Sequence, residues 1–335
     1  MIKKLIIIIA IVVIGGVLYW QNLNSPVDKN GKEQIFIINK GEVIKQIADN
    51  LEKENLIRSA FYFKYEIGSD NNIKAGEYLI GPKLSTKEII RILTVGDAIS
   101  QEKSIRIIEG WSNKDIASYL EKNNIISEKD FMALVSSSLS GWKLSFSKPD
   151  FLADAPAKAT LEGYLFPDTY RIFNNTTAEE IISKMLNNFD KKITTEMEKE
   201  IKRQKKTIYE IVTMASIIEK EVRSTNDMKI VSGIFWNRID GGQALGSCAT
   251  LAYILGVNKP QYSIEDTKID SPYNTYKYRG LPPGPIANPG FNAINAAIYP
   301  ENTGYNYFLS DPETGKTIYS RTLEEHNANK YKYLK

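Results

Sequence analysis

The sequence predicts an α+β chain in three parts: an apolar amino-terminal helix, a duplicated α+β module and a helix-rich α+β domain. Three observations carry this. The 23 residues from Leu5 to Val27 hold no charge, nine residues recur at an offset of 69, and strong helical patterns dominate beyond Ala178.

In the first part, the uninterrupted apolar run covers residues 5–20. A bilayer span needs about 20 such residues, and Tyr19 and Trp20 suit the membrane interface. Lys3 and Lys4, in a tail of residues 1–4, place the amino terminus in the cytoplasm and everything after the span outside. The alternative is a cleaved signal peptide, but no small-x-small site precedes the polar linker of residues 21–33.

The duplicated region is expected over residues 34–135. Gly41, Ile47, Ala48, Leu51, Glu52, Lys53, Asn55, Leu56 and Ile57 return as Gly110, Ile116, Ala117, Leu120, Glu121, Lys122, Asn124, Ile125 and Ile126. In each copy a β-rich run, Ile35–Ile38 or Ile105–Ile108, leads through the glycine into a helix with apolar positions i, i+1 and i+4. Ser112 with Asp115, and Ser85 with Glu88, have the spacing of capping boxes. Ala75–Ile80 reads as a strand between the copies. Such a repeat serves equally as scaffold or as a glycan-binding surface.

Residues 136–158, rich in Ser, Pro and Ala, read as an irregular linker. The third part, residues 159–335, opens with a charged helical stretch, Ala178–Lys205, followed by a strongly apolar helix over Ile208–Val222 and another over Met228–Ile239. The last third is loop-rich. Ser271–Gly290 packs five prolines and three glycines into 20 residues, together with three tyrosines, Asn274 and Asn288. Rings and amides on a stiffened frame suit a sugar, and equally suit a loop that packs on its own domain.

Composition narrows the chemistry. The chain has 335 residues with one cysteine, Cys248, and one histidine, His326. A zinc site takes three or four ligands drawn mainly from these types, so no metal and no cofactor are expected. One cysteine forms no intramolecular disulfide. A net charge of +3 does not suggest nucleic-acid binding, and 42% hydrophobic residues is too many for disorder. Proton chemistry then falls to carboxylates.

Four carboxylates stand out: Glu162 and Asp168 in Leu161-Glu-Gly-Tyr-Leu-Phe-Pro-Asp168, and Glu219 and Glu221 on the apolar helix. At 100° per residue Glu221 falls between the columns of Ile217 and Ile218, whereas Glu219 follows Ala215 and Ser216. An isoleucine surround disfavours the anion and raises the carboxyl's pKa toward that of a general acid, so Glu221 is the better acid. The competing reading pairs it with Lys220, Arg223 or a distant cation. Asp168 beside Pro167 reads as a turn cap, and Glu162 stays open. A glycosidase with two carboxylates could draw its second from either. A Cys248/His326 nucleophile pair lacks a third orienting group.

Met214-Ala-Ser-Ile-Ile-Glu-Lys-Glu221, Phe235-Trp-Asn-Arg238, Glu162-Gly-Tyr-Leu-Phe-Pro-Asp168, Tyr273-Asn-Thr-Tyr276 and Gly280-Leu-Pro-Pro-Gly284 together resemble the MltG (YceG-like) endolytic murein transglycosylases, in the family's order and over nearly the whole chain. The resemblance implies a LysM-like α+β region ahead of the catalytic domain. It also implies a single-pass protein of the bacterial cytoplasmic membrane whose catalytic domain lies outside. Its activity would be a lyase reaction on nascent peptidoglycan strands. That reaction cleaves the MurNAc–GlcNAc bond, leaves a 1,6-anhydroMurNAc end and terminates strand elongation, in association with peptidoglycan synthesis enzymes. The family's acid/base falls on Glu221. Motif membership points to Glu162, Glu219, Asn237, Asn274 and Tyr276 for orienting or substrate-binding roles. Two alternatives accompany it: a muramidase-type hydrolase using Glu221 with Glu162, and a noncatalytic peptidoglycan-binding scaffold. One departure stands out: Leu245-Gly-Ser-Cys-Ala-Thr250 replaces the family's usual Leu-Gln-Ser/Thr-Asp-x-Thr, so Gly246 and Cys248 stand for glutamine and aspartate, while Ser247 and Thr250 remain as contacts.

Overall fold

A computed structural model describes residues 2–68, 73–96, 102–173, 176–257, 259 and 262–334, with the side chains of 2–10 and 102 excepted. Thirteen α-helices and three two-stranded sheets occur among the described residues, a mixed α+β architecture. The chain divides between Lys103 and Ser104 into two compact units.

The first unit begins with α1 (Ile2–Asn24), which runs four residues into the stretch expected as linker. Among the described residues no helix is long and apolar enough to cross a membrane. The side chains of Lys3, Lys4 and residues 5–10, on which the expected anchor partly rests, lie outside that description. β1 (Gln34–Ile38) pairs antiparallel with β2 (Gly76–Ile80), with Phe36 opposite Tyr78. Phe36, Ile38, Tyr78 and Ile80 point inward, giving the alternation of a one-faced sheet. Against that face lie α2 (Ile44–Lys53), α3 (Ala60–Ile67) and α4 (Thr86–Val95), which bury Ile47, Leu51, Phe63, Ile89 and Leu93. The Ser85–Glu88 capping box forms at the start of α4.

The second unit opens within β3 (Glu102–Arg106), which pairs with β4 (Thr169–Phe173). α5 (Asn113–Lys122) follows, with its Ser112–Asp115 capping box in place, then α6 (Glu128–Val135). The internal repeat is visible in backbone detail. Gly41 and Gly110 share a positive φ of 85° and 78°, and Asn55 and Asn124 share 55° and 52°. Leu56 and Ile125 each return an N–H to the carbonyl five residues back, Leu51 and Leu120, at 2.9 Å. This is the left-handed helix stop, in which asparagine tolerates the conformation that glycine usually supplies. The copies nevertheless sit in different units and pair with different strands.

Residues 136–158 are not a spacer between bodies. Leu139, Leu144, Phe151 and Leu152 are buried in the core of the second unit, and 3₁₀ turns at Leu139–Gly141 and Asp150–Leu152 carry all but Leu144. The Ser/Pro-rich composition masks these four anchors. The helical stretch expected over Ala178–Lys205 consists of two helices, α7 (Ala178–Lys192) and α8 (Thr195–Arg203). Ile193 leaves helical geometry, and the Thr194 hydroxyl accepts the Met197 N–H to start α8 afresh.

α9 (Ile208–Glu221) is the centre of the unit, with eight successive residues buried from Ile211 to Ile218. α10 (Thr225–Asp240), α11 (Cys248–Leu255) and α12 (Phe291–Ile298) surround it. A hairpin of β5 (Tyr307–Ser310) and β6 (Thr317–Ser320), with α13 (Leu323–Tyr333), completes the chain. The hairpin, α11, α12 and α13 were not legible in the loop-rich last third.

Gly163 shows how closely the elements meet. Its φ is +90°, and a Cβ there would lie 2.6 Å from the Pro285 ring and 2.8 Å from Val212. Gly163→Ala is therefore expected to cost about 1–3 kcal/mol of unfolding free energy, measured by urea denaturation.

Candidate active site

Residues 211–218 of α9 are buried, so polar groups among them and close behind them find partners within the protein. Ser216 meets this requirement by donating to the Thr213 carbonyl (2.7 Å) and accepting the Ile286 N–H (3.0 Å). The two glutamates beyond it diverge, as their helical azimuths predict.

Glu219 accepts the Gly290 N–H at 2.9 Å. Gly290 is the N-cap of α12 and has no side chain to cap with, so Glu219 supplies the anion that this helix start favours. Burial raises its pKa to about 7; the Gly290 N–H opposes the rise and Glu109 adds to it.

Glu221 turns toward α11. Its Oε1 accepts the Ser247 hydroxyl in a short bond and the Ala249 N–H at 3.4 Å. Burial raises the pKa of Glu221, while Ser247, Ala249 and the Arg238 charge all oppose the rise. Its cation is thus Arg238, from the motif on α10, and not Lys220, whose ammonium bonds the Gly110 carbonyl at 3.1 Å.

Ser247 is itself held in place. Its N–H reaches Thr275 Oγ1 at 3.0 Å, its carbonyl accepts the Thr250 hydroxyl at 2.8 Å, and Thr250 and Thr275 bond each other at 2.9 Å. All three residues are buried. Arg238 fixes the same loop by donating to the Leu245 carbonyl and, from Nη2, to Asn306 O at 2.7 Å.

The 271–290 loop folds around Asn274, which is wholly buried. Its amide donates to Thr267 O (3.0 Å) and Ile269 O (2.8 Å), and its Oδ1 accepts the Tyr276 N–H (3.0 Å). Asn274 therefore shapes the turn that presents Thr275 and Tyr276. The Tyr276 hydroxyl stands 3.1 Å from Cys248 Sγ. Gly246 has φ +61°, and the Tyr276 ring passes 3.7 Å from where a Cβ would stand. At the two positions that depart from the family pattern, a left-handed turn and a thiol therefore meet one tyrosine. Asn237 is exposed on α10, beside Arg238. His326 stacks on Tyr307 at 5.2 Å, while Cys248 meets Tyr276.

Glu162 occupies a second polar centre. Its carboxyl accepts the Asn113 N–H at 3.0 Å and Asn288 Nδ2 at 3.4 Å. Asn288, fully buried, also donates to Trp111 O (3.0 Å) and Asn113 Oδ1 (3.1 Å) and accepts the Leu165 N–H (2.9 Å). Burial raises the Glu162 pKa to about 8 despite the Asn113 N–H; Asp115 adds to the rise. Asp168 accepts the Thr169 N–H and Asn188 Nδ2, as a turn cap would, and these bonds lower its pKa.

A cleft of about 510 Å³ opens on this centre, with Glu162, Lys220, Ala249 and Tyr253 among its walls. Glu221 does not line the cleft itself; it reaches that wall through Ala249, whose N–H it accepts. The structure thus gathers Glu221, Tyr276 and the turn built by Asn274 on one side of α11, and Glu162 at the cleft. Glu219 is engaged with α12. The bonds that Arg238, Thr275 and Asn288 make were not foreseen from the sequence. The one available signal was their place within the motifs and the Asn-Pro-Gly turn.

A model of the YceG-like family matches residues 36–332. The chain belongs to this family. The endolytic murein transglycosylase of Bacillus subtilis (strain 168) is 35% identical over 334 residues, covering 96% of this chain and 91% of that protein. A protein of the same name from Streptococcus pneumoniae serotype 2 (strain D39 / NCTC 7466) is 32% identical over 91% of this chain, which spans 59% of the pneumococcal protein. The crystal structure of a YceG-like protein from Listeria monocytogenes superposes with a TM-score of 0.58 at 32% identity, covering 90% of this chain and 100% of that one.

Two titrations follow from the geometry. Ser247 donates to the Glu221 anion, so in Ser247→Ala Glu221 should titrate at higher pH, with Ser247→Thr restoring the parent value. The carboxylic C=O infrared band, taken as a difference against Glu221→Gln, reads this. Glu162 holds its proton up to about pH 8 when folded, against an ordinary value of 4.5 when unfolded. Between these values only the folded chain keeps that proton, so stability declines as pH rises, by at most about 1.4 kcal/mol per unit. Urea unfolding of Glu162→Gln across this range should lack that decline.

Proposed function

We propose that this chain is an endolytic peptidoglycan lytic transglycosylase with Glu221 as its single general acid/base. The observation that carries the reading is Glu221 itself: a carboxyl whose pKa is raised by burial, aimed at α11 and bonded to a residue of the cleft wall. Its relatives' shared name supplies the substrate.

The two halves of the reaction make opposite demands on this group. In the first, protonated Glu221 gives its proton to the glycosidic oxygen between MurNAc and GlcNAc as the anomeric C–O bond breaks. The resulting carboxylate is met by the Ser247 hydroxyl, the Ala249 N–H and the Arg238 charge, the three influences that favour the anion. In the second, the carboxylate takes the proton of the MurNAc 6-hydroxyl as that oxygen closes on the anomeric carbon. The acid is thereby regenerated and a 1,6-anhydro end remains. The nucleophile belongs to the sugar, so its effective molarity is high and no second carboxylate is needed to activate water. Tyr276 and Glu162 contribute substrate contacts, Asn274 orients the Tyr276 turn, Glu219 orients α12 and Asn237 stands at the outer rim.

The hydrolase alternative would require Glu162 as a base at neutral pH, and burial keeps that group protonated to about pH 8. The relatives' shared name speaks against the noncatalytic alternative. The exposed apolar residues of α1, taken with Leu5–Ala10 in the sequence, support a single-pass anchor with the amino terminus inside and both units outside. On this reading the duplicated region of residues 34–135 is LysM-like, and synthesis enzymes in the same membrane are partners. Gly246 and Cys248 would tune the position of Tyr276.

Digestion of purified peptidoglycan, with mass spectrometry of the chain ends, tests the proposal. The parent protein should yield 1,6-anhydroMurNAc ends, and Glu221→Gln should lower their formation by about 10²–10⁴-fold. Full activity in Glu221→Gln would remove Glu221 from the role, and reducing MurNAc ends would establish hydrolysis instead.

A further inference from the structure

Between Ile11 and Tyr19, α1 is bare on every side. Ile11, Val12, Val13 and Ile14 point in four directions at 100° per residue, and each is 58–67% exposed. Val17 and Leu18 repeat this one turn later at 52% and 60%. A helix that is apolar all round needs an apolar surround on every side, and hydrocarbon supplies one.

The environment changes at Trp20. Its ring meets Tyr62 at 5.1 Å and Tyr65 at 4.9 Å, both edge to face. From there the chain is fastened residue by residue to the first unit. The Leu23 carbonyl accepts the Thr86 hydroxyl (3.2 Å), Asn24 Oδ1 accepts the Lys87 N–H (3.0 Å), and the Pro26 carbonyl accepts the Arg58 guanidinium (2.7 Å). The exit of α1 is thus docked on α3 and α4, where the sequence suggested a polar tether.

The docking brings a second apolar feature to the same level. Phe61 and Tyr65 lie four residues apart on one stripe of α3, and they are 66% and 64% exposed. Tyr65 touches Trp20, and Tyr19, next in the chain, is 64% exposed. Large aromatic rings left in water beside the end of an apolar helix match the side chains that concentrate at the bilayer interface, where an apolar body and a polar edge are both accommodated.

We infer that the first unit lies on the outer surface of the bilayer as a rigid collar around the exit of α1, with Phe61 and Tyr65 set into the headgroup layer beside Tyr19 and Trp20. This inference rests on the anchor reading of α1. The lipid surface is its partner because the exposed aromatic stripe is continuous with a helix whose every face is apolar. The collar fixes the height of this module above the hydrocarbon instead of leaving it on a swinging tether.

Depth-dependent quenching in the full-length chain tests this. Cys248→Ser leaves no native thiol, and Phe61→Cys, Tyr65→Cys, Val17→Cys and Glu52→Cys are each labelled with an environment-sensitive fluorophore. The proteins are reconstituted in phosphatidylethanolamine–phosphatidylglycerol vesicles containing lipid spin-labelled at a shallow or at a deep position. The labels at 61 and 65 should lose most of their fluorescence to the shallow quencher and that at 17 to the deep one, while that at 52, on exposed α2, should respond to neither. Quenching at 17 with none at 61 or 65 overturns the collar and leaves the anchor standing. Absence of quenching at 17 overturns the anchor, and the collar with it.

Discussion

Eight successive buried residues in α9 oblige every neighbour of that helix to supply either apolar surface or a hydrogen bond, and the arrangement of the second unit follows from this demand. α10, α11 and α12 cover its apolar sides, and the 3₁₀ turn at Asp150–Leu152 covers another. Where polar atoms enter, each has a specified partner: Ser216 holds the 281–290 loop through Ile286, and Glu219 starts α12 through Gly290. A helix buried to its last turn can end only in groups whose desolvation is compensated. At Glu219 and Glu221 that compensation is partial, and the Glu221 carboxyl is both raised in pKa and kept within reach of donors that favour the anion.

The same logic accounts for Asn288. One buried amide satisfies Trp111, Asn113, Glu162 and Leu165, joining the start of α5, the Glu162 turn and the proline-rich loop. Gly163 permits that convergence by bringing backbone against Pro285 and Val212. The motifs that stand far apart in sequence are therefore close in space for packing reasons, and the cleft is the space left between them.

Much of the candidate site was legible in the residues. Helical azimuth separated Glu221 from Glu219, because the angle between side chains on a helix is fixed by backbone geometry alone. In the structure the two carboxyls serve α12 and α11, and burial raises the pKa of both. The roles of Arg238, Thr275 and Asn288 were not legible, because hydrogen bonds across 25 to 177 residues depend on loops whose paths no local pattern encodes. Asn274 illustrates the boundary. Its place in a motif marked it, yet only its bonds to Thr267, Ile269 and Tyr276 show a residue that builds a turn.

By itself the sequence determined what short-range forces decide: the uncharged opening segment, the repeated positions that include Asn55 and Asn124, and the capping boxes at Ser85 and Ser112. Tertiary structure decided what depends on partners. It placed the two copies of the repeat in separate units, because β1 found β2 while β3 found β4. It drew residues 136–158 into a core through four apolar side chains that composition had diluted. It also docked the exit of α1 onto α3 and α4. Side-chain periodicity and caps are settled within a few residues, whereas burial is a property of surfaces that meet only after the chain has folded.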